Sequence, residues 1–386
     1  MIFMRYTNIK GKRDLIRVIG GVLMIVIILG IQVITQKTAT SFPQGGEMEY
    51  ITKLLSEKNS LIRQMGASFP PSIWASNALI DFNNKNGLLY LIIFVGISSF
   101  IFYGMVYISE KVFYKGLIGG QEVSSKKKKL TDKQLSDQIA KVSHPIIAIF
   151  KRELKILIRT PIFLMNSIGT VIIIPFALAI PIFTTDPKML GTIKQFYNEN
   201  NMLIINLALS AFIIFIAANN GIGATTFSRE GKQFWISRIA PIKIEHQIIG
   251  KILSSILVQI LALAIILGGV LFILPLKLGT IVIVTILGLL GSVPVIELAM
   301  LIDITRPLLD WDNPQKAIKQ NMNVLFSLLV GMAYIFVSAL LVLFMLKFKL
   351  NPMIIYLSIL FIYIAISIIL FKILSKLTSK RFREIE

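Results

Sequence analysis

Apolar positions along this chain come in continuous blocks of about 20, separated by short polar stretches. They are not spaced to give one wet and one dry helical face. A block that is apolar all round belongs in lipid, since a helix in water needs a polar side. Eight such blocks predict membrane-spanning helices near 15–35, 87–108, 162–183, 202–219, 250–273, 279–302, 324–346 and 352–371. The fourth is the weakest, with Asn206, Asn219 and Asn220 near its edges. Strands of a membrane barrel alternate and run about 10 residues, so helices are expected throughout. The predicted class is an all-α, polytopic membrane protein.

One segment breaks this pattern. From His144 to Thr160, Ile146, Ile147, Phe150, Leu154, Leu157 and Ile158 recur at helical spacing, while Lys151, Arg152, Lys155 and Arg159 fill the other face. This predicts an amphipathic helix lying on the membrane surface. Pro161 then opens a new span, at a position where its missing N–H costs little. The division that follows is residues 1–143, two spans with an outer loop and a basic linker, and residues 144–386, a six-span module led by the interfacial helix. The first span follows Arg5, Lys10, Lys12 and Arg13 and can be read as a signal peptide or as an uncleaved anchor. The long apolar run from Val18 to Val33 favours the anchor.

Composition agrees and adds orientation. Hydrophobic residues make up 55% of the 386 and charged residues 16%, with a net charge of +20. If residues 1–17 lie inside, the inner segments (1–17, 109–161, 220–251, 303–323, 372–386) hold 30 of the 40 Lys and Arg. That bias predicts an even number of spans with both termini cytoplasmic, in the cell membrane. It also separates this charge from a nucleic-acid surface, because it is spread over several loops. Lys126–Lys129 reads as a solvated linker, or as a lipid head-group site.

Little in the sequence carries catalytic chemistry. With no cysteine, disulfides and thiol nucleophiles are excluded, and two histidines, His144 and His246, are too few for a histidine-rich metal site. The phosphate-binding loop pattern fails at each Gly-Lys pair, where Thr226, Glu245 and Tyr6 occupy the place of its first glycine. Gly221-Ile222-Gly223 is half a dinucleotide signature, but it follows a span and reads as a helix exit. Asp310 and Asp312 flank Trp311 as a metal or acid–base pair, or as a turn in which Asp312 or Asn313 caps the next helix. No enzyme activity and no cofactor or metal are expected.

Two features suggest function. Glu297 is the acid deep in a span, with a structural role or a proton or substrate role; Pro294 before it suggests a bend. Asn166, Asn206 and Gln259 are candidates for bonds between helices, and Ala264 with Gly268 forms a small-xxx-small pair. The loop Asn220–Gly250 carries Arg229, Glu230, Lys232, Phe234, Trp235 and Arg238. Charges alternating with aromatics suit a lipid-interface anchor and a partner surface equally.

Three stretches resemble the permease subunits of ATP-binding-cassette (ABC) transporters of the type-2 exporter class: Phe150–Leu154 with Arg159-Thr160-Pro161; Ser228–Lys232 with Trp235 and Pro241; and Asp303, Arg306-Pro307-Leu308, Trp311–Pro314 and Lys319–Asn321. The resemblance covers roughly residues 86–386. It implies a six-span domain served by a separate ATPase chain. It also implies a coupling helix in the first inner loop of the module, here at Arg229, Glu230, Phe234 and Trp235. It further implies that the chain corresponds to the last part of a two-half permease, as a split, short or truncated form. The expected function is the membrane subunit of an ATP-driven exporter. Its partners would be an ABC ATPase, membrane lipids, and a second permease chain or a second copy of itself; no nucleic acid is expected. An ion- or proton-coupled secondary transporter using Glu297, and a non-transporting membrane scaffold or immunity protein, are the alternatives. The apolar spans lean toward a lipidic or amphipathic cargo.

Overall fold

The structure, a computed structural model, describes residues 13–40, 70–121, 144–184 and 187–384. Those residues are helical except for turns and short connections, with no strand among them. The helices are α1 (Arg13–Thr40), α2 (Pro70–Ile80), α3 (Lys85–Gln121), α4 (Pro145–Arg159), α5 (Pro161–Thr184), α6 (Pro187–Phe196), α7 (Met202–Asn219), α8 (Phe234–Ile239), α9 (Ile244–Leu271), α10 (Leu278–Thr305), α11 (Lys316–Lys319), α12 (Met322–Lys347) and α13 (Pro352–Glu384). Seven of these (α3, α5, α7, α9, α10, α12, α13) are long and apolar enough to cross a membrane. The expected span at 15–35 falls on α1, which carries a shorter apolar stretch, Ile19–Val33. The chain is an all-α, polytopic membrane protein. The lysine run at 126–129 lies outside the described residues.

The contacts group the chain into two compact units. One takes in residues 1–13 and 38–129, the other 14–37 and 130–386. The sequence division at residue 143 kept the first span with the linker, whereas here residues 14–37 belong with the larger unit. Gln32 on α1 donates to the Ala177 carbonyl on α5 at 3.0 Å. In the smaller unit α2 packs on α3 through a turn in which the Asn84 N–H donates to the Asp81 carbonyl at 2.8 Å.

In the larger unit α10 is the central element, packed by α7, α9, α12 and α13. Several polar groups within the spans bond to neighbouring helices, as favoured where no water is at hand. Asn206 donates to the Tyr356 hydroxyl at 3.0 Å, tying α7 to α13, and Gln259 donates to the Ile213 carbonyl at 2.5 Å, tying α9 to α7. Asn166 instead bonds back to Ile162 in its own helix, at 2.7 Å. Ala264 is exposed and a Cβ on Gly268 would meet nothing within 4 Å, so this small-residue pair faces away from the bundle.

Two helices differ in a way that builds the site. α4 packs along α9 through Ile149, Glu153 and Leu157, a stripe at every fourth residue. Gly250 permits that approach: a Cβ there would sit 2.8 Å from the Ile149 side chain. α13 runs on past the expected end at 371, to Glu384. Leu374, Thr378 and Phe382 are buried at four-residue spacing, so the basic tail is held to the protein and stays helical.

Candidate functional site

The loop between α7 and α9 is the most heavily bonded connection in the larger unit. Asn220 ends α7 by accepting the Ile222 N–H at 3.0 Å, and Gly221 takes a left-handed φ of 68°, so this segment is a helix exit. Two 3-10 turns follow, Gly223–Thr225 and Ser228–Gln233. Gly231 sits at φ 50°, ψ −132°, and a Cβ there would lie 2.7 Å from the Trp311 ring. Only glycine fits a backbone so turned and so covered.

Arg229 and Glu230 point inward. On one side Glu153 accepts from Lys251 at 2.8 Å and from Arg229 at 3.4 Å. On the other, Glu230 accepts from Lys251 at 2.5 Å and from Arg152 at 3.1 Å. The side chains of Glu153, Glu230, Lys251 and Arg229 are at most 1% exposed. Ser237 of α8 donates to Glu230 at 2.5 Å and receives Arg152 at 2.7 Å. Arg229 also reaches the Ile222 carbonyl at 3.0 Å, and Lys251 lies 5.1 Å from the centre of the Phe227 ring. Burial alone would raise the Glu153 pKa; the adjacent Lys251 and Arg229 charges outweigh it and hold that carboxyl below the ordinary range. Taking each ion out of water costs several kcal/mol, so the cluster stands only because every carboxylate meets two cations.

A second hub fastens the loop to α10 and α12. Asp303 accepts from the backbone N–H of Phe227 at 2.6 Å and of Ser228 at 3.0 Å, from the Ser228 hydroxyl, and from Asn323 at 3.0 Å. Asn321 caps α12 by accepting the Asn323 N–H at 3.0 Å. Trp311 donates its indole N–H to the Ser228 carbonyl at 2.8 Å. The α13 tail closes the ring: Phe382 packs edge-on against Phe234 at 5.4 Å, and Arg238 donates to the Phe382 carbonyl at 2.8 Å.

The sequence profile of the family described as "Putative ATP-binding cassette" matches residues 1–385. The chain belongs to that family. No curated protein and no solved structure matches it.

This ABC-associated membrane protein thus divides its expected coupling residues into two sets. Arg229, Glu230 and Phe234 are buried and hold the loop in place. Lys232 and Trp235 are exposed, Trp235 at 55%, and Arg238 is half-buried. Ile236 and Ile239 share the outward side of α8 with Trp235, and the sequence reading passed over both. It also missed Lys251, Ser237 and Asn323. Glu153 entered only as part of the resemblance; its place on the Ile149–Leu157 stripe was the signal that it faces inward.

The remaining candidates fall elsewhere. Glu297 is 2% exposed between α10 and α13; it accepts from Ser367 at 3.0 Å, and its other oxygen has no partner. Asp310 and Asp312 lie at the surface, 3.9 and 3.6 Å from the Lys232 ammonium; Asn313 accepts the Gln315 N–H at 3.0 Å in the turn before α11, whose N-cap position, Gln315, makes no side-chain cap bond. His144 and His246, remote in sequence, meet with ring centres 5.8 Å apart. Among the described residues no group of three or more His, Cys, Asp or Glu could hold a metal.

Proposed function

We propose that the chain is the membrane-spanning permease subunit of an ATP-driven exporter, moved by a separate ATPase chain that docks on loop 220–243. One observation carries this reading. The loop is bonded to α4, α9, α10 and α13 through buried charges and backbone donors, and to α12 by way of Asp303, while its outer side presents Trp235, Ile236 and Ile239 to solvent. A surface so braced transmits a push to five helices at once, and Trp with branched aliphatics is the composition of a docking anchor. ATP chemistry then lies on the partner, since no Gly-Lys pair here has the phosphate-loop pattern. The excess of Lys and Arg in alternate loops supports a reading in which the site and both termini face the cytoplasm and the protein lies in the cell membrane.

The docking face defines the experiment. Trp235→Ala with Ile239→Ala removes exposed contacts and leaves the buried cluster intact. Purified with its ATPase in lipid nanodiscs, the double variant should insert and melt like the parent and lose most of its stimulation of ATP hydrolysis. Undiminished stimulation would refute docking at this face. The unpartnered oxygen of Glu297 supports a second reading, a proton-coupled transporter. Under that reading Glu297→Gln abolishes uptake driven by a pH gradient, and no ATPase co-purifies.

A further inference from the structure

A cleft of about 820 Å³ opens between α4 and the loop. Its near wall is the basic stripe of α4, Lys151, Lys155 and Arg159, spaced four residues apart so that successive side chains lie side by side. Its far wall is Lys232 with Gln233, and Trp311 supplies aromatic surface, backed edge-on by the buried Phe163. Glu230 is the one carboxylate in the lining, and it is already engaged by Lys251 and Arg152. Asp310 and Asp312 offset Lys232 from outside. Lys151, Lys155 and Arg159 meet no carboxylate among the described residues, so three cations converge on one opening without an anion.

We propose that this cleft binds the phosphate head group of an anionic membrane lipid. The shape of α4 favours a lipid over a soluble acidic segment. Ile147 and Ile158 are 46% and 59% exposed, and at 100° per residue they border the basic stripe directly. Phe163 lies two residues into span α5, which starts at Pro161. An apolar edge for acyl chains therefore adjoins a cationic cleft for the head group, at the depth where a span meets its interface. The inference rests on the membrane placement of α4 and is independent of the ATPase reading.

Native mass spectrometry of the full chain in mild detergent tests it, with phosphatidylglycerol and phosphatidylcholine as probes and inorganic phosphate as competitor. Lys155→Ala with Arg159→Ala should weaken phosphatidylglycerol binding about 25-fold, the factor expected for two cations near an anionic head group. Both side chains are exposed, so the variant should keep the melting temperature of the parent. Lys372→Ala with Lys376→Ala, in a second basic groove on α13, should leave that affinity unchanged. Equal loss in both variants would mean general surface attraction and would overturn the site. Equal binding of phosphatidylcholine would do the same. Displacement of the lipid by equimolar inorganic phosphate would assign the cleft to a soluble anion. Binding of an acidic peptide without binding of phosphatidylglycerol would assign it to a protein partner.

Discussion

Glu153→Gln keeps the size and shape of the side chain and removes its charge. In the parent, Glu153 and Glu230 face Lys251, Arg229 and Arg152. In the variant Glu230 keeps Lys251 and Arg152, and Arg229, whose side chain is 1% exposed, loses the carboxylate 3.4 Å away. Breaking a buried pair by removing one partner costs about 3–5 kcal/mol, because the other charge stays buried. Lys251→Met added to Glu153→Gln deletes the cation 2.8 Å from residue 153 and restores the parent's charge balance. The double variant should therefore melt above Glu153→Gln alone, a non-additivity expected of contacting residues. Acid should reproduce the single variant. The Glu153 pKa is held below its ordinary 4.5, so its contribution is complete above that pH and disappears as pH falls through the folded-state value. Melting of purified protein, followed in detergent from pH 7 to pH 3, should fall off at the acid end in the parent; in Glu153→Gln that loss should be largely gone. A cost below about 1 kcal/mol, the range of exposed pairs, or an unchanged acid profile in the variant, would refute the buried-cluster argument.

Asp303→Asn replaces a carboxylate that takes two backbone donors, a hydroxyl and an amide by a group with one acceptor oxygen. It should cost about 1.5–3 kcal/mol for each charge-assisted bond lost, and amide exchange in 220–243 should quicken; unchanged exchange would mean that Asp303 does not hold the loop. Gly231→Ala forces a Cβ to within 2.7 Å of Trp311 at a left-handed φ, and should destabilise by about 1–3 kcal/mol. Adding Trp311→Ala should recover less than the whole loss, because the φ strain remains; full recovery would show that the clash alone mattered.

The span pattern was legible because length and apolarity fix it: 279–302 was expected and α10 runs Leu278–Thr305. The end of α13 was not, since the hydropathy that marks a span stops at 371 while the helix continues on Leu374, Thr378 and Phe382, which pack on protein. The 220–250 loop stood out by its charges and aromatics, but sequence spacing does not tell which way Arg229 and Glu230 point. Their partners Glu153 and Lys251 come from α4 and α9, and only the close packing permitted at Gly250 brings them together. Asn166 shows the reverse limit: a polar residue in a span need not bridge helices when its own helix offers the Ile162 carbonyl.

The choice of charges to fasten this loop bears on how it can work. An apolar contact tolerates sliding, because its energy follows area and not direction. The Glu153–Lys251–Glu230 chain does not slide: its hydrogen bonds weaken steeply once their geometry is lost, and a separated member becomes an unpaired buried ion. A small displacement of the loop from this seat therefore costs more than it would at an apolar contact, because several of these bonds must break together. Trp235, Ile236 and Ile239 stand on the outside of that seat, where under the proposed coupling a partner would press. A push on them is carried to α4 and α9 through the ion cluster and to α10 and α12 through Asp303 before the seat gives way. Weakening one hub should then leave the partner bound to α8 while uncoupling its motion from the helices that hub serves. In the ATPase assay, Asp303→Asn should accordingly retain partner binding and lose stimulated hydrolysis. Loss of binding itself would mean that the hub shapes the docking face and does not transmit through it.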